Sequence, residues 1–305
     1  MRGGRKLFRY SGLDAYPALS AAGNFGLILI SALFFDSLPL WALGLMFAAI
    51  AFCYCWNLQS ISHNFIHNAF FGPQWLNRAF AFLETLDLGV PHTIVRHQHW
   101  NHHSGDNDAR GPDGTTRDWV SSYRFGKDGK PEACWRYCLL SHFRLPVGTI
   151  VGIIFREARA RKLQFLAECL LLAAFGAGLV LLNWRYFVFF YLPCYYAGWI
   201  LVYAHNYFLH YGAEPGNKYA NSVSSYHRLY NWVFFNNSYH QEHHSRPKAH
   251  WTRMKDVRAQ IQPQMMANNT RIIRGPHATI LMETWLERRR AGKLALDART
   301  YRSSV

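Results

Sequence analysis

The amino-acid sequence predicts an all-α integral membrane protein, with four transmembrane helices in two hairpins and a cytoplasmic helical cap, and three observations predict it. Two long stretches are nearly free of charge: no Lys or Arg occurs from 11 to 57, and only Arg185 from 164 to 205. Of 33 Lys and Arg residues, 32 fall in the N-terminal tail, the central segment or the C-terminal segment. Nine of the 16 histidines gather in four tight groups, each just beyond a hydrophobic stretch or in the segment that follows one.

The apolar stretches divide into spans 13–35 and 38–56, broken at Asp36-Ser37, and 165–182 and 186–204, broken at Asn183-Trp184-Arg185. A bilayer core of about 30 Å takes roughly 20 helical residues, which all four approach. Two buried hairpins of a soluble protein are the alternative, and the span lengths count against it. Glu168 lies one turn into the third span, within reach of the interface. The first span follows Arg2, Arg5, Lys6 and Arg9 but is too long for a leader's apolar region, so it is expected to stay as an anchor.

The remaining segments, 57–163 and 205–305, are expected to form the cap of one domain covering 1–305. The distribution of basic residues places both termini and the histidines on the cytoplasmic side. Stretches 75–88 and 138–155 are too short or interrupted to span and suit interfacial helices, and 278–290 is amphipathic. The net charge of +15 arrives without a nucleic-acid motif, so no nucleic-acid partner is expected. The run 156–162 and Arg288-Arg289-Arg290 suit anionic headgroups. The six cysteines form no Cys-x-x-Cys pair, which argues against a disulfide framework or an iron–sulfur site.

The histidine groups are His63 and His67 in HNFIH; His99, His102 and His103 in HQHWNHH; His210 in NYFLHYG; and His240, His243 and His244 in YHQEHH. On a helix, residues four apart lie about 40° apart and i, i+3 and i+4 stay within about 100°. Each group therefore aims its imidazoles one way. Nine are too many for one four-coordinate ion, so two metals are expected, with iron, copper or zinc all compatible with imidazole. A zinc protease needs Glu after its first histidine, and Asn64 stands there. A metal transporter or sensor would place ligands within the spans, which carry no motif histidine. The other seven, His92, His97, His142, His205, His227, His250 and His277, are read as structural. Glu84, Asp87, Asp106, Asp108 and Glu242 are the nearby acids able to orient ligating rings.

HNFIH, HWNHH and YHQEHH resemble the three histidine boxes of the membrane fatty-acid desaturase and hydroxylase superfamily, over roughly residues 20–260. NYFLHYG is also similar to an NYxEHYG element of bacterial alkane monooxygenases, with Leu209 in place of its Glu. The resemblance implies a non-haem di-iron centre ligated by the nine histidines, His210 completing the set, with Asn206 as a second-shell or water-mediated ligand. It implies O2-dependent attack on unactivated C–H bonds of a lipid or acyl chain drawn from the bilayer. Desaturation of a fatty acid is the leading expectation; hydroxylation of an alkane, fatty acid, carotenoid or sterol is the alternative. No cytochrome b5, rubredoxin or dinucleotide-binding motif is present, so a ferredoxin, rubredoxin or cytochrome b5 with its reductase is expected to supply electrons. Arg246, Lys248, Arg253, Lys255 and Arg258 are candidates to dock an acidic carrier.

Overall fold

The structure, a computed structural model, describes residues 6–290 and is mostly helical. Among the described residues, three helical stretches are long and apolar enough to cross a bilayer: Gly12–Ser37, Leu40–His67 and the 51-residue run Arg159–Leu209. A fourth arises if the bent pair Cys134–Arg144 and Val147–Ile154 is taken as one span. Their outward faces are apolar; Leu40 and Leu181 each expose 87% of their surface, which suits lipid rather than water.

The first stretch is α1 (Ala15–Phe34), preceded by a 3-10 turn in which the Ser11 hydroxyl accepts from the Leu13 amide. The second is α2 (Leu40–Trp56), which runs through a π turn, Asn57–Ser62, directly into α3 (His63–His67). The first histidine box thus continues a hydrophobic helix, as its position in the sequence suggests. The long run holds α8 (Arg159–Tyr186), a second π turn (Phe187–Tyr191) and α9 (Leu192–Leu209). Asn183 has non-helical angles, φ −163° and ψ 98°. Phe175 meets Tyr191 at 6.2 Å between ring centroids across that break. Sixteen residues of straight helix would separate them by about 24 Å, so the chain turns back at Asn183. Asp36 accepts from Asn183 Nδ2 at 2.7 Å and from Arg185 Nη2 at 2.9 Å, which holds the two polar breaks together.

The closest seam joins α2 to α9. A Cβ on Gly198 would lie 2.4 Å from Tyr54 Cβ, so only glycine lets the backbones approach this far. Tyr54, Ile50 and Cys194 are buried in the same apolar cluster as Tyr186, whose hydroxyl meets Ser31 at 2.7 Å. This seam positions the site, because α3 leaves one end of it and His210 caps the corresponding end of α9.

The cap comprises α4 (Gln74–Leu88), α5 (His92–Gly105), α6 (Cys134–Leu140), α7 (Val147–Ile154), α10 (Arg228–Val233), α11 (His240–Ser245) and α12 (Met254–Ala267). A small parallel sheet pairs β1 (Ser224–Ser225) with β2 (Ile272–Ile273). The expected stretch 75–88 is α4, while 138–155 breaks into two helices bent by 43° before and after Pro146. Residues 280–290 are helical, as the amphipathic pattern anticipates. Asp14, buried at the start of α1, accepts from Trp251 Nε1 at 2.8 Å and lies 3.0 Å from His250 Nε2, tying the C-terminal segment to the first helix. Substituting Gly198 with alanine is expected to force α2 and α9 apart and cost about 1–3 kcal/mol. Thermal unfolding should show the loss, together with lower metal content.

Candidate metal centre

Five imidazoles, those of His63, His67, His99, His103 and His243, bring one ring nitrogen each within 4.8 Å of all the others. His102, His210, His240 and His244 form a second group under the same measure. Helical geometry explains how single boxes feed both groups. His99 and His103 are four apart on α5 and stay together, as do His240 and His244 on α11. The residue at i+3, His102 or His243, points about 100° away from its i+4 neighbour and serves the other group.

The convergence is through Nε2. His67 and His99 approach to 2.6 Å, His63 and His243 to 2.9 Å, His103 and His243 to 2.9 Å, and His99 and His103 to 3.1 Å. In the second group the spacings are 3.2 Å for His102 and His210, 3.3 Å for His210 and His240, and 3.1 Å for His240 and His244. Nitrogens held 2.0–2.1 Å from one ion at adjacent coordination positions lie roughly 3 Å apart. So many convergent lone pairs cannot be reconciled by N–H donors alone, since a neutral imidazole has only one. The donor set therefore fits two transition-metal ions.

The outward nitrogens are anchored where a ligand must be oriented. His102 Nδ1 meets Asp118 Oδ2 at 2.7 Å, His244 Nδ1 meets Asp106 Oδ1 at 2.8 Å, and His210 Nδ1 faces the Asn221 carbonyl at 2.9 Å. Asp118 is itself fixed by the amides of Val120 and Asn107. Asp106 ends α5 in the left-handed region, φ 54°, which a short polar side chain tolerates and which swings its carboxylate towards α11. Of the five acids singled out by proximity in sequence, only Asp106 reaches a ligand ring. Asp108 binds the amides of Arg117 and Asp118, and Glu242 accepts from Ser224 and Tyr226 hydroxyls. Among the described residues, Glu84 and Asp87 form no hydrogen bond to any of the rings, and Asp87 accepts from Asn57. Asp118 was missed because it sits in an irregular loop with no periodicity to place it.

Burial, then neighbouring imidazoles, holds His63, His67, His240 and His103 well below the ordinary histidine range. His99, His210, His243 and His244 are lowered for the same reasons. His102 differs: burial pulls it down, but Asp118 outweighs this and the net shift is upward. Neutral rings keep Nε2 lone pairs free for a metal.

Asn206 donates Nδ2 to the Tyr137 hydroxyl at 2.7 Å. It shares a cavity of about 50 Å³ with His63, His99, His102, His240, Gln59 and Tyr203. The seven histidines read as structural stay outside both groups. His205 binds the Tyr230 hydroxyl, His277 the Val223 carbonyl and His142 the Tyr195 hydroxyl. His250 meets Asp14, His97 lies 3.6 Å from Glu157, His227 accepts from the Tyr230 amide and His92 packs on Phe65. All six cysteines are free.

A cage of this composition at the ends of apolar helices suits a metal centre at the edge of a membrane. The sequence model of the fatty acid desaturase family matches residues 39–276, most of the chain, and the protein belongs to that family. No curated protein matches it.

Two outcomes follow from these contacts. Asp118→Asn should weaken metal binding by about 10–100-fold, measured by competition with a chelator, because it releases the His102 ring. Burial also pushes His92 and His277 down to about 4. The unfolded chain binds protons there near pH 6.5 while the folded chain does not, so stability falls as pH drops from about 6.5 towards 4. Unfolding of the metal-free protein across this window should show it, with the eight lowered cage histidines acting in the same direction.

Proposed function

We propose that this chain is an O2-dependent di-iron fatty acid desaturase that oxidises unactivated C–H bonds of a lipid-borne acyl chain. The observation that carries this is the division of nine Nε2 atoms into groups of five and four, with His63, His99, His102 and His240 from the two groups lining one small cavity. His63, His67, His99, His103 and His243 would hold one iron, and His102, His210, His240 and His244 the other. The bound metals would supply O2 activation and the oxidising power to remove hydrogen from carbon. Family membership supports iron as the metal and a lipid as the substrate.

The protein's own groups would orient the reaction. Asn206, pinned by Tyr137, leaves its carbonyl oxygen for a water beside the second group, while Tyr203 and Gln59 bound the space beside the reacting carbons. A cavity of about 50 Å³ holds only a few waters, which limits solvent beside the reacting carbons. A second cavity of about 520 Å³ has His67 in its wall and is lined by Arg9, Arg78, Arg96 and Arg161. Guanidinium groups suit the anionic head of an acyl carrier and have no use for an unsubstituted alkane. Hydroxylation would use the same residues, and the NYFLHYG element is the observation that favours it.

The layout we propose is one domain over 1–305, with four spans at 13–35, 38–56, 165–182 and 186–204 in two hairpins. The turn at Asn183 and its contacts with Asp36 support the paired hairpins. Both termini and the cage would face the cytoplasm, where electrons are available. A ferredoxin, rubredoxin or cytochrome b5 with its reductase would dock at Arg246, Lys248 and Lys255, which are exposed. Arg253 and Arg258 are already engaged, by Asp256 at 2.6 Å and by the Tyr226 ring at 3.5 Å.

Alanine at His63, His103, His210 or His243 should lower iron content and abolish turnover; a fully active variant removes that residue from the ligand set. Mass spectrometry of lipids from expressing cells tests the outcome. A new double bond is expected, and an added oxygen without one sinks desaturation in favour of hydroxylation. Arg78→Glu and Arg96→Glu should raise KM for an anionic acyl substrate at unchanged iron content.

A further inference from the structure

Glu84 and Asp87 lie one turn apart on α4, and both are buried, Glu84 with no exposed surface at all. Among the described residues neither forms an ion pair with Lys, Arg or His. Both oxygens of Glu84, Oδ1 of Asp87, Oδ1 of Asn57 and Oγ of Ser62 are sealed from solvent without a hydrogen-bond partner. The single contact that closes is Asn57 Nδ2 donating to Asp87 Oδ2 at 2.9 Å.

The π turn aims the two neutral side chains at this pair. Asn57 and Ser62 are five residues apart, and an i to i+5 repeat brings them to one side, whereas α-helical geometry would rotate them about 140° apart. The turn is thus used twice, to deliver His63 to the cage and to face Ser62, its neighbour in sequence, towards buried acid. Two ionised carboxylates without a counter-cation are not sustained in such a setting; at least one holds a proton, and the proton belongs to the pair.

We propose that Glu84 and Asp87 form a shared-proton store behind the histidine cage that supplies O2 reduction, with the Ser62 hydroxyl as the step nearest the metals. This rests on the function proposed above. Each desaturation takes two electrons from the external one-electron carrier, two protons through the store and two hydrogens from the acyl chain. It converts one O2 into two waters and leaves one C=C bond. Hydroxylation needs the same two electrons and two protons and yields an alcohol and one water, so the role is indifferent to which product forms.

The groups facing the pair are suited to the task. Cys53 and Tyr54 on α2 and Tyr191 beside them lie within electrostatic reach of Asp87. None is cationic, so nothing local fixes the carboxylates as anions. Burial, then Asp87, pushes Glu84 far above the carboxylate range, with the Ser62 and Asn57 dipoles offsetting part of this; burial likewise raises Asp87. Neither residue lies within the predicted spans, and neither is a ligand.

The test begins with infrared spectroscopy of the full-length, metal-free protein. A protonated-carboxyl C=O band at neutral pH is expected that shifts in D2O and vanishes in the Glu84→Gln/Asp87→Asn double variant. Absence of the band, or its replacement by stoichiometric Na+ or Ca2+, overturns the proposal. In the iron-loaded protein, Glu84→Gln and Ser62→Ala should each retain iron and slow turnover, by on the order of 10²-fold for the carboxylate, with a larger solvent isotope effect and a shifted pH profile. Glu84→Asp should recover part of the rate. Unchanged rate and isotope effect in both variants overturn the store, even if the enzyme is a desaturase. The band without any O2-linked turnover of lipid overturns the proposed function and leaves the buried acid pair standing.

Discussion

Nine imidazoles aimed at two points, eight of them held well below the ordinary histidine range, constrain the rest of the molecule. Each ring must lose its hydration and accept close neighbours of the same kind, an arrangement that would fly apart if the rings were charged. Burial supplies the neutrality, and rigid helices supply the aim. The Nε2 spacings of about 3 Å need backbones fixed far more tightly than a loop allows. That is why every cage histidine but His210 lies within a helix, and His210 stands at the end of one.

The α2 and α9 seam transmits this requirement from the apolar region to the cage. Gly198 against Tyr54 fixes how closely the helices run, and so sets the separation between α3 and His210. The π turn between α2 and α3 adjusts the phase of the emerging helix, so that His63 and His67 meet α5 and α11 instead of continuing the face that packs below. Such turns carry a cost in helix geometry, and their recurrence at functional sites reflects the side chains they re-aim. Here the same turn explains both the ligand placement and the partnerless polar seam at Glu84.

The outer contacts of the cage come mainly from irregular chain. The loop after α5 supplies Asp106 and Asp118, and the segment between α9 and β1 supplies the Asn221 carbonyl. The loop is ordered by its own hydrogen bonds, with Asp108 binding two amides and Asn107 receiving that of Ser122. A segment rich in turn residues thereby becomes part of the candidate metal site, consistent with the tendency of loops to carry function when a scaffold holds them.

By itself, the sequence determined the helical class, the positions of the apolar stretches, the break at Asn183 and all nine convergent histidines. These properties are local: hydropathy over about 20 residues, and the 3.6-residue repeat within each box. It also set apart the seven remaining histidines, none of which joins the cage. Tertiary structure decided the division into five and four, because which ring faces which partner depends on helix phase and crossing between segments up to 180 residues apart. It alone placed Asp118 on His102, left Glu84 and Asp87 without an ion pair among the described residues, and set Asn206 against Tyr137. Those contacts join residues with no periodic relation, and only the packing of the folded chain brings them together.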